Sequence, residues 1–143
     1  MKHRKIEADN SAFRTNNSTQ AHNSIIDRSF LFAVRIVKLC QFLEKQDRVS
    51  RTLANQLLRS GTSIGANVEE AQAGQSKADF VAKMSISRKE ARETHYWLRL
   101  LKTAELVPEE QLSEILLESE EIVRIITAIV KTSQTRSASG TGV

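Results

Sequence analysis

The chain has 143 residues with a formal net charge of +4, 40% hydrophobic and 27% charged, the balance of one globular domain and not of a disordered polymer. Five Gly and one Pro leave few turn-formers for a multistranded sheet, and a single Cys excludes a disulfide framework and the usual four-ligand zinc site. The three His stand at 3, 22 and 95, none within helical reach of another, which excludes the common catalytic-metal spacings.

Residues 1–25 are polar, rich in Asn, Ser and Thr, and lack an apolar period, so they read as a flexible N-terminal arm. They also lack the apolar core of a signal peptide. The most apolar stretch, Phe30 to Leu43, contains Arg35 and Lys38 and is too short to span a bilayer. These features place the expected protein in the cytoplasm, with no membrane partner. Residues 26–132 carry helical periodicity, and residues 133–143 read as a disordered C-terminal tail.

The first helix is expected over Asp27–Lys45, capped by Asp27 or Ser29. Only Arg35, Lys38 and Gln41 interrupt its apolar residues, so the polar stripe is narrow and the surplus apolar face needs a cover, most cheaply another subunit. The second helix is expected from Ser50, with Leu53, Leu57, Ile64, Val68 and Ala71 on one face and Gly61 filling it between them. Gly61 and Gly65 each cost roughly 1 kcal/mol relative to Ala, which close helix approach or a bend would offset. Arg59, Ser63, Asn67 and Glu70 share the opposite face, either as a solvated or ion-paired surface or as a ligand contact.

Ser76 and Asp79 form an S-x-x-D capping pattern opening a third helix to about Ala104. Phe80, Met84, Ser87, Ala91, Thr94, Leu98 and Leu101 make its inner seam, while Ile86, Trp97 and Leu100 form a second apolar face. The fourth helix is expected from Pro108, with Leu112, Ile115, Leu116, Ile122, Ile126 and Ile129 inward and Glu109, Glu110 and Glu114 at its start. Four helices with short connections fit an all-α, antiparallel up-and-down four-helix bundle.

The patterns exclude most catalysis. A di-iron bundle needs two Glu-x-x-His pairs, and His95 follows Glu93 by two residues. Cys40 lies in an apolar helix, no G-x-S-x-G elbow occurs, and no Lys follows Gly61–Gly65 as a phosphate loop requires. No catalytic residue, metal site or cofactor is expected. Binding has more support. Arg88, Arg92, His95, Arg99 and Lys102 alternate at steps of four and three, one stripe along the third helix with Lys77 near its N-terminal extension. Such a stripe neutralises phosphates of RNA or DNA, or it pairs with the acidic fourth helix, or it is simply solvated. Tyr96 and Trp97 are the nearby aromatics able to stack on bases.

The segment Leu53–Val107 resembles the 23S rRNA intervening-sequence (S23-like) proteins, and with flanking helices the resemblance covers about residues 27–131. It is carried by Gln56, Leu57, Leu58, Arg59 and Ser60, then Ser63, Ile64, Ala66, Asn67, Glu69 and Glu70, and by a second block of Lys77, Phe80, Glu90–Glu93 and Trp97-Leu98. The resemblance implies an antiparallel four-helix bundle that assembles as a homopentameric ring with a basic surface, in a family most of whose members have no established biochemical activity. It also implies kinship with the accessory protein of diversity-generating retroelements, which binds nucleic acid and a reverse transcriptase. Arg59 and Asn67 match retained family positions, and the resemblance adds Arg59 to the nucleic-acid-binding set of Arg88, Arg92, Arg99 and Lys102. The chain departs from the family in Leu58, where many members have a second Arg, and in Gly65, where Pro is frequent. A protein–protein adaptor or scaffold ring without a nucleic-acid role is the alternative expectation.

Overall fold

The computed structural model describes residues 24–140. Four helices fill that span: α1 (Ile25–Glu44), α2 (Arg48–Gln72), α3 (Lys77–Thr103) and α4 (Glu109–Gly140). No strand occurs among the described residues. Each helix packs on two neighbours in a closed cycle, with α1 and α4 touching least. No helix among the described residues is long and apolar enough to cross a membrane.

Helix starts follow capping chemistry. Ser24, not Asp27 or Ser29, caps α1 by accepting from the Asp27 N–H at 3.4 Å. Asp27 instead sits in the first turn, where its charge complements the helix dipole. Ser29 is buried, its hydroxyl donating to the Ile26 carbonyl at 3.1 Å. Asp47 caps α2, accepting from the Ser50 N–H at 2.8 Å, so this helix starts two residues before Ser50. That bond holds the Asp47 carboxyl below its usual range. Ser76 caps α3 through the Asp79 N–H at 3.1 Å, as its sequence pattern predicts.

The turn into α4 has Glu105 in the left-handed region, φ 58°. The Leu106 N–H reaches the Leu101 carbonyl and the Glu105 N–H the Lys102 carbonyl, both at 3.1 Å, which satisfies the last carbonyls of α3. α4 begins at Glu109, one residue after Pro108. It continues to Gly140, which corrects the expected tail over residues 133–140. No Pro or Gly intervenes before Gly140, and extending a formed helix costs far less than starting one. Ser133 and Thr135 bond back to the Ile129 and Lys131 carbonyls. Of the expected arm, residues 1–23 lie outside the described residues, as do 141–143 of the tail; Ile25 already belongs to α1.

One apolar core joins all four helices. The predicted seam of α3 is buried, with Phe80 only partly so. In α4, Leu112, Ile115, Ile122 and Ile126 are buried as expected, and Val130 joins them. Small residues of α2 decide how near its neighbours come. A Cβ added at Gly61 would meet the Ile36 side chain of α1 at 2.8 Å, and one at Gly65 would meet the Ser29 carbonyl oxygen at 3.2 Å. Towards α3, the buried Ser87 hydroxyl donates to the Ile64 carbonyl at 2.8 Å, and the Thr94 hydroxyl donates to Ser60 Oγ at 2.9 Å.

The surplus apolar face of α1 is present: Phe30, Val34 and Val37 are 59%, 37% and 40% exposed. On α3 the expected second face divides. Ile86 is exposed, whereas Trp97 packs against the core.

Ala normally stabilises a helix over Gly by roughly 1 kcal/mol, but at Gly61 the stiff β-branched Ile36 cannot yield cheaply. Gly61→Ala is therefore expected to destabilise by about 1–3 kcal/mol, read as a lower urea midpoint. The cost should shrink in an Ile36→Ala background; an undiminished cost would remove the steric explanation.

Candidate nucleic-acid interface

The seam of α3 turns inward, and its charged residues divide between two edges. The edge facing α2 is acidic. Glu90 and Glu93, three residues apart, occupy one side of the helix, and Arg59 of α2 reaches both, with Nη1 3.2 Å from Glu90 Oε2 and Nη2 closer still to Glu93 Oε1. The Glu90 side chain is largely buried and that of Glu93 partly so. The Arg59 hydrogen bond is the main cause holding the Glu93 carboxyl below its usual range, against the opposing effect of burial. Reciprocally, the bond to Glu93 raises the Arg59 guanidinium further above neutrality.

The other edge of α3 is basic and faces the α4 side. Arg92, Arg99 and Lys102 are exposed and Arg88 half-buried. Among the described residues, none of these four makes an ion pair. His95, in the middle of the row, has Nε2 3.6 Å from Glu120 Oε1 of α4. Lys77 is exposed at the N-terminal end of the helix. From Arg88 to Lys102 the row runs about 21 Å at the helical rise.

The expected partners on α4 are mostly engaged elsewhere. Glu118 pairs with Arg28 and Glu114 with Arg35, both at 2.8 Å and both across to α1. Glu121 pairs within α4 with Arg124. Among the described residues, four of the five expected binding cations therefore stand together without a carboxylate partner, while the fifth, Arg59, lies on α2 and braces α2 against α3. The Glu90–Glu93 step of three opposite a basic residue is the signal that could have revealed this brace.

The remaining polar positions of α2 bond to their own helix. Ser63 Oγ donates to the Arg59 carbonyl at 2.6 Å, and Asn67 Nδ2 donates to the Ser63 carbonyl at 2.8 Å. Cys40 Sγ donates to the Ala54 carbonyl at 3.4 Å. Burial first, then the nearby Glu44 charge, pushes its thiol up to about 11, so it is protonated at neutral pH. Among the described residues no group of three His, Cys, Asp or Glu is placed to hold a metal ion. Two surface hollows are open to solvent, one lined by Glu70, Asp79 and Lys83, the other by Arg35, Glu114 and Glu121.

A carboxyl whose folded value is depressed contributes stability above its unfolded value, lost as pH falls through the folded one. Glu93 should therefore make the fold acid-sensitive below its ordinary value of 4.5. Arg59→Ala is expected to lower stability at neutral pH and to flatten that acid loss. Titration of the Glu93 carboxyl by NMR should show it return towards 4.5; an unmoved titration would show that Arg59 is not the cause.

Comparison with known proteins brings the same chain regions forward. A family model described as 23S rRNA-intervening sequence protein matches residues 21–128. A solved structure from Bacteroides thetaiotaomicron, a protein of unknown function from the S23 ribosomal protein family, is 46% identical, with a TM-score of 0.69. The match covers 76% of this chain and 99% of that one. No curated protein matches significantly.

Proposed function

The chain belongs to the 23S rRNA-intervening sequence protein family, and from that premise we propose that it is a non-enzymatic, self-assembling helical bundle that binds RNA or DNA through the basic edge of α3. The observation that carries this reading is the row Arg88, Arg92, Arg99 and Lys102, unpaired among the described residues although α4 carries six Glu. Four cations along one helix edge match a phosphate backbone, an attraction that weakens steeply with salt. In this reading Arg59 serves the α2–α3 contact in place of nucleic acid.

The same proposal includes an up-and-down, antiparallel arrangement. Ile36 meets Gly61 while the earlier Ser29 meets the later Gly65, and Arg28 pairs with Glu118 while Arg35 pairs with Glu114. Self-assembly is supported by the exposed row Phe30, Val34 and Val37 on the side of α1 away from the core. A homopentameric ring, and kinship with the accessory protein of diversity-generating retroelements, are what the sequence resemblance implies. A cytoplasmic location belongs to the same reading. The adaptor alternative draws on that apolar row too, since a partner protein would cover it equally well.

Fluorescence anisotropy against a structured RNA and a duplex DNA across a salt series tests the binding. The double variant Arg88→Glu with Arg92→Glu is expected to lose at least tenfold in affinity and to flatten the salt slope. Unchanged affinity would overturn the assignment to α3. For assembly, Phe30→Glu should lower the mass measured by light scattering without loss of helicity. A wild-type monomer at micromolar concentration would contradict self-assembly.

A further inference from the structure

Charge alone does not distinguish a duplex from a single strand, and α3 offers more than charge. Tyr96 follows Arg92 by one turn and precedes Arg99 by one turn, so it neighbours both on the helix surface. It is 49% exposed, and among the described residues its hydroxyl makes no hydrogen bond. Its ring is nevertheless held. The Trp97 ring lies 5.0 Å away, centroid to centroid, in an edge-to-face contact at 71°. Trp97 itself packs against the core, so the tyrosine is steadied by a fixed neighbour while half of it stays open.

Among the described residues the other strongly exposed aromatic, Phe30, has a different setting. Its neighbours one turn away are Ile26, Asp27, Ala33 and Val34, without a cation among them. Phe30 thus fits an apolar cover, and Tyr96 fits a ligand that is at once aromatic and anionic. Unpaired nucleotides have that chemistry. Every base presents a π face, and its phosphates flank it on either side. In a duplex the faces are already stacked inside, out of reach of a side chain on a straight helix.

We propose that Tyr96 stacks on an unpaired base while Arg92 and Arg99 take the flanking phosphates, so that the edge of α3 selects single-stranded over duplex nucleic acid. This rests on the binding reading given above for the same edge. RNA and DNA share the recognised chemistry, and separate probes distinguish them.

The full-length protein is titrated into labelled oligouridine, oligothymidine and a duplex of equal length. Wild type should prefer the single strands. Tyr96→Phe keeps the ring and should keep the preference. Tyr96→Leu and Tyr96→Gln remove it, one apolar and one polar, and should lose about tenfold on single strands with duplex affinity unchanged. Circular dichroism melts check that each variant folds, and two replacements keep the result independent of either one.

An equal loss on duplex and single strands, or Leu binding as well as Tyr, would overturn the stacking role. The two readings fail separately. If Arg88→Glu with Arg92→Glu abolishes binding of all probes while Tyr96→Leu changes nothing, the charged edge stands and the stacking falls. If Tyr96→Leu alone weakens single-strand binding while the arginine pair is dispensable, the charged-edge reading falls.

Discussion

Everything in this bundle depends on how near α2 lies to its two neighbours. Gly61 leaves no room for a β-carbon against Ile36 of α1, a β-carbon at Gly65 would press tightly on the Ser29 backbone, and Ser60 and the Ile64 carbonyl take hydroxyl hydrogen bonds from α3. Two helix-disfavouring glycines in one helix are worth their propensity cost because the contact they permit is tight. The buried hydroxyls of Ser87 and Thr94 are tied to α2, so the rotational setting of α3 is fixed along with its distance.

That setting determines the electrostatics. With its small-residue seam turned inward, α3 must present Glu90 and Glu93 on one edge and Arg88, Arg92, Arg99 and Lys102 on the other. Arg59 neutralises the acidic edge across the α2 contact. The glutamates of α4 that bridge to α1 leave the basic edge, among the described residues, with only the His95–Glu120 approach. A mildly basic chain thereby concentrates positive charge along one line. The same division separates two kinds of exposed aromatic: Phe30 in an apolar row on α1, and Tyr96 among cations on α3.

Much of this was legible in the residues. The seam of α3 was readable because its period runs unbroken from Phe80 to Leu101, and the cationic stripe because it follows the same period displaced around the helix. The extra apolar face of α1 was readable because only three polar residues interrupt it. What escaped was whatever depended on contacts between helices. Arg59 could be read as ion-paired or as ligand-binding, because nothing local marks which carboxylates a neighbouring helix will bring to it. Trp97 looked like surface because period alone does not show how far a large ring leans back towards the core. The cap of α1 was misplaced because Asp27 and Ser29 are as competent as Ser24, and only the backbone decides which stands outside the first turn. The end of α4 was missed because its polar residues carry no period, although they contain nothing to stop a helix.

In the function proposed for this bundle, nucleic acid docks on the edge of α3 that carries Arg88 to Lys102. The most direct measurement is an NMR chemical-shift map of the labelled protein as a short oligonucleotide is added. The affected amides and side chains are expected to concentrate on α3 between Arg88 and Lys102, while Arg59 and its two glutamates stay unmoved. Shifts centred on Arg59, or on Phe30 and Val34 of α1, would contradict it.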